Sequence, residues 1–307
     1  MPIKRRMCIN TTRFLSLSQP TEPRQPSFQA FHTHMTVDAP SYIVGHADTI
    51  IETWARRRVA DSAGYLQGSL EPHMKILDVG CGPGSITIDF ARHVPIGHVI
   101  GVDQDAAEKT LERARAQAAK EGVTNVEFAV ADGLALPFPD DTFDVVHANH
   151  VIQYVSEPVQ FLREMRRVAK PGGLVAVRTW DLGLFSFHPN AELINNSVET
   201  LIRTLQETGR EPYTGRNLHI WARQAGFDPA ETKTSSSNDI YRTTEQREVW
   251  SRLSQSFSLD SPITKVALSK GFVTEAIIQQ TRRNYDEWVA NEDGSFIQVN
   301  WELLARA

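Results

Sequence analysis

Five apolar runs, each separated from the next by a segment of helical character, constrain the fold of this chain more than any other feature. The runs read KILDVG, HVIGVD, VEFAVAD, FDVVHAN and LVAVRTW and follow one another between residues 75 and 180. Nearly continuous apolar strands that alternate with helices are typical of a parallel sheet with helices on both faces. The sequence therefore predicts an α/β fold, a doubly wound Rossmann-like sheet.

Two of the intervening segments carry clear helix signals. After the second run, Leu111, Ala114 and Ala118 fall on one face, while charged residues fall on the others. After the fourth run, Pro158 stands near a first helical position, and we expect that helix to stop at the Pro-Gly-Gly of residues 171–173.

The residues that follow the strands mark a ligand site. In a doubly wound sheet the ligand lies beyond the carboxyl ends of the strands, at the point where the strand order reverses. The residues found there are, in strand order, Asp78 with Gly80, Gly82 and Gly84, then Asp103, then Asp132, then Asn149 and His150. Glycines allow a ligand to approach the backbone closely, so we expect a nucleoside-type cofactor at this edge.

The spacing of the glycines separates two kinds of cofactor. A loop that receives a pyrophosphate reads G-x-G-x-x-G, whereas residues 80–84 read G-x-G-x-G. Asp78 would repel a pyrophosphate and attract an ammonium group. Asp103, about 20 residues further on, is placed to accept hydrogen bonds from ribose hydroxyls. A cofactor with ribose, purine, ammonium and carboxylate ends fits S-adenosyl-L-methionine.

Four ordered motifs, ILDVGCGPG, GVD, VADGLALPFPDDTFDVV and REMRRVAKPGGLVAV, resemble those of class I S-adenosylmethionine-dependent methyltransferases. They are most similar to the ubiquinone/menaquinone-biosynthesis-like branch, which includes many secondary-metabolite enzymes. The segments NHVIQYV and RTWD differ from the sequences typical of quinone C-methyltransferases, and arsenite methyltransferases need more cysteines than this chain has. The resemblance therefore indicates the cofactor class and leaves the acceptor open.

The resemblance implies a role for each matching residue. Gly80, Gly82 and Gly84 would line the methionine end of the cofactor, and Asp78 would hold its amino group. The remaining cofactor-binding residues would be Asp103 at the ribose with Gln104 beside it, Asp132 and the amide of Gly133 at the adenine, Asn149 with Ala148 at the ammonium, and Tyr42 with Gly45 from an N-terminal helix. No metal is expected.

The acceptor side of the site is predicted around the ends of strands four and five. His150 directly follows strand four and is the candidate general base; the alternative is a hydrogen-bonded histidine that shields the pocket. Tyr154, one helical turn later, would orient the acceptor. Trp180, Phe185 and His188 are the candidate substrate contacts at the strand-five edge.

The chain divides into a tail and one methyltransferase domain. Residues 1–35 are rich in Arg and Ser and poor in acids, which suggests a disordered tail or a presequence. The domain, residues 36–307, would comprise an N-terminal helical cap at 36–72, a cofactor-binding core at 73–182, and helical lid insertions at 183–214 and 243–291, after strand five and before the last strand. Aromatic residues in these insertions suit an apolar pocket, although a core role is the more common one.

Composition excludes several partners. The formal net charge of −5 offers no bulk attraction to a phosphate backbone, so no nucleic-acid partner is expected. No apolar run reaches the roughly 18 residues of a transmembrane helix, so no membrane partner is expected either. With only two cysteines and no secretory signal, we expect a cytoplasmic protein, with a mitochondrial presequence as the alternative. The oligomeric state is left open.

Two functions follow from these observations. The first is methyl transfer to O, N or C of a small apolar or aromatic metabolite, in secondary metabolism. The alternative is a protein with the same fold and no transfer activity, either a pericyclase or cyclase, or a regulator that senses the cofactor.

Overall fold

The computed structural model describes residues 54–104, 108–189 and 192–307. Within these ranges the strands are β1 Lys75–Val79, β2 His98–Asp103, β3 Val126–Val130, β4 Phe143–Asn149, β5 Ala169–Trp180, β6 Ser186–His188, β7 Thr232–Tyr241 and β8 Ser295–Arg306. They form one sheet in the order β3-β2-β1-β4-β5-β8-β6, and β7 also pairs with β8.

The helices between the strands are short to medium in length. They are α1 Val59–Ser62, α2 Gly64–Gln67, α3 Ser85–His93, α4 Glu108–Lys120, α5 Pro158–Val168, α6 Glu192–Glu207, α7 Thr214–Gln224, α8 Thr244–Ser258, α9 Pro262–Ser269 and α10 Glu275–Ala290. In this part of the chain, no helix is both long enough and apolar enough to cross a membrane.

The order of the parallel strands sets the position of the site. The chain starts at β1, moves outward through β2 and β3, and then crosses to β4 and β5 on the other side of β1, with all five strands parallel. The order therefore reverses between β1 and β4, which is where ligands bind in such sheets. This confirms the predicted doubly wound α/β fold.

The helix α5 shows how the apolar pattern fixes the packing. Phe161, Leu162, Met165 and Val168 lie on one face and are buried in the core against the central strands. Pro158 stands at the first position of the helix, as predicted. The helix ends at Val168 rather than at residues 171–173, because β5 already begins at Ala169 and pairs with Phe143 before a register shift.

The strand β7 has no apolar signature in the sequence. Its residues read TKTSSSNDIY, and most of them are exposed or half-buried. It is held by antiparallel pairing along β8, from Thr232 opposite Ala305 to Tyr241 opposite Phe296. Backbone hydrogen bonds to the more apolar β8 stabilise this strand. Because its own residues do not alternate between apolar and polar, the sequence pattern could not predict it.

The two predicted insertions contain α6 and the run from α8 to α10. Their aromatic side chains pack on one another and on Phe296 of β8. Trp250 stacks on Phe296 with ring centroids 4.2 Å apart, and Phe187 stacks on the same ring at 4.4 Å. Trp288 packs edge-on to Phe187. These aromatics form a second core, and the role of the insertions as a lid stays a prediction.

Candidate functional site

A cavity of about 490 Å³ opens at the carboxyl ends of β1, β2, β3 and β4. Most of the residues predicted for the cofactor line it, namely Asp78, Gly80, Gly82, Asp103, Gln104, Asp132, Gly133 and Asn149. His150 and Tyr154 line it as well, together with Trp54, Arg57, Val151, Phe161 and Arg210. Tyr42 and Gly45 lie outside the described residues.

The three positions of the first loop have glycine for different structural reasons. Gly80 has a φ of +72°, and a Cβ on it would lie 2.3 Å from Cγ2 of Val151. Gly82 also has a positive φ, but a Cβ there would meet only the ring of Trp54 at 3.8 Å. Gly84 does not line the cavity; a Cβ on it would meet Phe128 at 2.7 Å, so it permits α3 to pack closely.

Asp103 is held rigidly at the end of β2. Its Oδ2 accepts a 2.8 Å hydrogen bond from the amide of Gly82, and its Oδ1 accepts one of 2.8 Å from the amide of Gln104. The two amides therefore fix the orientation of this cavity-lining carboxylate.

Asp78 has a buried partner that the sequence did not reveal. Its Oδ1 lies 2.7 Å from Nδ1 of His147, and its Oδ2 accepts a 2.6 Å hydrogen bond from the hydroxyl of Thr87. His147, which was not among the predicted site residues, lies opposite Asp78 in the β1–β4 register and is fully buried. The pair fixes the Asp78 carboxylate at the floor of the cavity.

Asn149 carries an unsatisfied amide. The residue is buried at the end of β4, and neither its Nδ2 nor its Oδ1 has a hydrogen-bond partner in the described part of the chain. An unmade hydrogen bond of a buried group costs about 1–3 kcal/mol. A donor and an acceptor left open on a cavity-lining residue are suited to a polar ligand.

Asp132 and Gly133 form the turn after β3. The Oδ1 of Asp132 accepts a 2.9 Å hydrogen bond from the amide of Leu134, so this exposed residue stabilises its own turn while it lines the cavity. A Cβ on Gly133 would lie 2.6 Å from the ring of Phe161. Glycine here lets the turn lie flat on α5.

His150 lies in a left-handed backbone conformation, with a φ of 56°. Its Nε2 is 3.1 Å from both Nη1 of Arg178 and Oδ1 of Asn300, so either ring tautomer satisfies one neighbour. Its Nδ1 is buried and without a partner among the described residues. Burial, followed by the charges of Arg57 and Arg178, holds the pKa of His150 well below its usual value of 6.5. The ring is therefore neutral at pH 7.

This low pKa predicts a loss of stability in mild acid. The unfolded chain binds a proton at His150 below pH 6.5 whereas the folded chain does not, so the free energy of unfolding falls as the pH drops. Between pH 7.5 and 5.5 we expect wild type to lose about 1 kcal/mol more than His150→Asn, which keeps the left-handed backbone. Urea unfolding at both pH values measures the difference. His219→Asn, on the surface of α7, should behave as wild type; an equal loss in all three proteins contradicts the assignment.

Cys81 is not a nucleophile. Its side chain is buried in the glycine loop, and burial, together with the charges of Asp103 and Asp78, raises the pKa of its thiol well above its usual value. A thiol is unreactive in this state. It packs as a small apolar residue within the glycine loop.

Arg57 is a site residue that was not among those predicted from the sequence. Arg56 and Arg58 are exposed, but Arg57 is half-buried and lines the cavity. Burial and the nearby Arg178 lower its pKa to about 10. Its guanidinium makes no ion pair with any described carboxylate and lies 5.7 Å from the ring of Trp54, which is itself close to Gly82. No local sequence signal separates it from its two neighbours.

The predicted substrate residues are not all brought together. Trp180 lines a second, much smaller cavity of about 20 Å³, which Tyr154 also lines, along with Gln153, Leu182, Leu201, Leu205, Glu211, Pro212, Phe257, Ser261 and Ile263. Phe185 packs edge-on between Trp180 and Trp250 and lines neither cavity. His188 is exposed at the end of β6, away from both cavities, because β6 pairs only with the start of β8.

Comparison with known proteins places the chain in a family. Residues 70–245 match the methyltransferase domain family. An uncharacterized methyltransferase from Schizosaccharomyces pombe is 35% identical over 69% of this chain and 77% of its own length. A probable methyltransferase from Aspergillus luteorubrus is 30% identical over 86% and 96%. A putative methyltransferase structure from Bacillus halodurans shares the fold, with a TM-score of 0.53 and 20% identity over 80% of this chain and 98% of that one. The chain therefore belongs to the methyltransferase domain family, which confirms the family predicted from its motifs.

Proposed function

We propose that this protein transfers a methyl group from S-adenosyl-L-methionine to a small apolar or aromatic acceptor. The observation that carries the proposal is that two polar groups line the same cavity. One is the Asp103 carboxylate, which two backbone amides hold in place, and the other is the unsatisfied side-chain amide of Asn149. Methyl transfer itself is the activity of the family. The acceptor class and a place in secondary metabolism are parts of the proposal.

The residues present fit this cofactor. The Asp103 oxygens would receive the ribose hydroxyls, and the Asp132–Gly133 turn would meet the adenine. Asp78, fixed by Thr87 and His147, supplies the negative charge for an ammonium group. Arg57 lies beside the glycine loop with no carboxylate partner among the described residues, so we assign it to the methionine carboxylate. The Asn149 amide would gain the partners that it lacks.

The chain contributes mainly orientation to the reaction. When bound, S-adenosylmethionine supplies an electrophilic methyl carbon next to a positively charged sulfur. The glycine loop and the fixed carboxylates hold one reactant, and the walls near Tyr154 hold the other; such positioning can supply about 7–11 kcal/mol of the barrier. His150 lines the cavity with a free Nδ1 and is neutral at pH 7, which leaves it able to bind or accept a proton of the acceptor.

The apolar or aromatic character of the acceptor is supported by the apolar side chains in the wall of the large cavity. Val151, Tyr154 and Phe161 line it beside His150. The second cavity, at about 20 Å³, has room for only about one water-sized group. The apolar part of the acceptor would therefore lie in the large cavity against Tyr154, at about 25 cal/mol per Å² of surface removed from water.

The alternative without transfer is not favoured, since the relatives from Schizosaccharomyces pombe and Aspergillus luteorubrus are both described as methyltransferases. Calorimetry with S-adenosylmethionine, S-adenosylhomocysteine and NADH tests the cofactor first, and we expect binding of the first two only. Incubation with S-adenosylmethionine and fractionated metabolites then tests transfer, read as S-adenosylhomocysteine formed. Cofactor binding without turnover on any fraction would favour the cyclase or regulator. A cytoplasmic location stays a prediction.

Asp103→Ala should weaken binding of S-adenosylmethionine by about 1–3 kcal/mol, because charge-assisted hydrogen bonds to the ribose are lost and the amide of Gly82 loses its acceptor. Calorimetry at pH 7 measures the change. Glu112→Ala removes an equal charge from the exposed face of α4 and is the matched control. Wild-type affinity in Asp103→Ala, with the fold intact, contradicts the ribose assignment.

A further inference from the structure

Arg210 brings a positive charge to the cavity wall without a negative charge to balance it. The residue is half-buried in the loop between α6 and α7 and lines the large cavity. Its Nη1 donates a long hydrogen bond of 3.4 Å to the carbonyl of Thr208, and its Nε is buried without a partner among the described residues. Burial alone lowers its pKa, with no described carboxylate acting on it. Such an unmade hydrogen bond is costly, and a bound anion would remove the cost.

Other arginines near the site are already paired. Arg178 lies 3.2 Å from Asp239, and Arg216 forms a bond of 2.7 Å to Asp181. Their positive charges are neutralised within the fold, so they need no ligand. Arg210 differs from them, and it differs from Arg57 in the element that carries it: Arg57 follows Trp54 in the first described turn, whereas Arg210 comes from the loop between α6 and α7.

Arg210 stands where the two cavities meet. Its backbone amide donates to the carbonyl of Leu205, and Leu205 and Glu211 both line the small cavity. Gln153 also lines that cavity, and its buried Nε2 has no partner in the described part of the chain, although its Oε1 accepts from Thr179. Arg210 therefore brings an unsatisfied donor to the large cavity, and Gln153 brings one to the small cavity next to it.

We propose that the methyl acceptor carries an anionic oxygen group, a carboxylate or a phosphate, and that Arg210 binds it. The guanidinium presents a planar fork of donors that matches both groups, which explains an arginine rather than a lysine at this position. The apolar part of the acceptor would then lie in the large cavity, which Arg210 and Tyr154 both line. The inference rests on the proposed function and narrows it from an apolar metabolite to an amphipathic, negatively charged one.

Calorimetry on the protein loaded with S-adenosylhomocysteine tests this inference. In the loaded protein the carboxylate of S-adenosylhomocysteine would pair with Arg57, so that Arg57 does not bind the probe. The probes are benzoate, phenyl phosphate and the neutral, similarly shaped benzamide, at constant ionic strength. Wild type should bind at least one anion more than tenfold tighter than benzamide, and the tighter anion identifies the group. Arg210→Gln should abolish that preference, Arg210→Lys should keep part of it, and Arg223→Gln, on the exposed face of α7, should keep all of it.

Three results would overturn the inference: equal binding of anions and benzamide by wild type, no binding of either anion, or a preference that persists in Arg210→Gln. A loss of S-adenosylhomocysteine affinity in Arg210→Gln would assign the residue to the cofactor instead and would also overturn it. Failure of wild type to bind S-adenosylhomocysteine contradicts the proposed function. Normal binding of S-adenosylhomocysteine without anion preference contradicts this inference alone.

Discussion

Gly80→Ala is expected to destabilise the protein by about 2–5 kcal/mol. The left-handed backbone at Gly80, with a φ of +72°, costs an alanine about 1–2 kcal/mol. The added Cβ would also lie 2.3 Å from Val151 Cγ2, and overpacking of this kind costs about 1–3 kcal/mol. Because Val151 follows His150 directly, relief of the clash would also move the acceptor side of the cavity. Urea unfolding measures the loss of stability.

Gly122→Ala is the matched control for this prediction. Gly122 has a φ of +68°, close to that of Gly80, but a Cβ on it would meet nothing within 4 Å. It should therefore show the backbone cost alone, about 1–2 kcal/mol. The difference between the two variants isolates the contact with Val151. Equal destabilisation of the two variants would show that the glycine loop relaxes without cost and that the close contact with Val151 does not contribute to the loss of stability.

His150→Ala is expected to lower turnover about 10²-fold, with cofactor affinity nearly unchanged. General bases contribute about 10²–10⁴-fold, and the depressed pKa of His150 makes it a weak base, so the lower end applies. The readout is S-adenosylhomocysteine formed with the acceptor found by metabolite screening, and calorimetry follows the cofactor affinity.

The control for His150 is Asn300→Ala, which leaves the ring in place and removes one of the two neighbours of Nε2. A base aligned by this contact should lose part of its activity in Asn300→Ala, together with a shift of the pH profile. A loss of turnover smaller than tenfold in His150→Ala would exclude His150 as the general base and indicate that it only lines the cavity.

The cofactor half of the cavity was predictable because it depends on local order. In a parallel sheet the carboxyl ends of neighbouring strands meet at one edge, so residues that directly follow strands, such as Asp103 and Asp132, converge without knowledge of the tertiary structure. The glycine spacing and the acids at set distances therefore carried most of the information. Gly84 shows the limit of this reasoning, since its conformation serves helix packing.

The remaining contacts depend on register and on long-range pairing. His147 reaches Asp78 only because the two stand opposite each other in the β1–β4 register, which periodicity does not give. Asn300 lies 150 residues from His150 and reaches it through β8. The half-buried position of Arg57 depends on how its short helical turn lies over the glycine loop. No local pattern distinguishes it from Arg56 and Arg58.

The place of β8, with β7 along one edge and β5 and β6 along the other, has a consequence for the order in which the protein is made. Ser295–Arg306 is the last described strand to leave the ribosome, yet it inserts between strands that were synthesised before it. Until β8 has been made, β5 has an open edge that can pair with other chains. The nascent protein would therefore hold its nucleoside site first and acquire the contact of Asn300 with His150 only once β8 has been made.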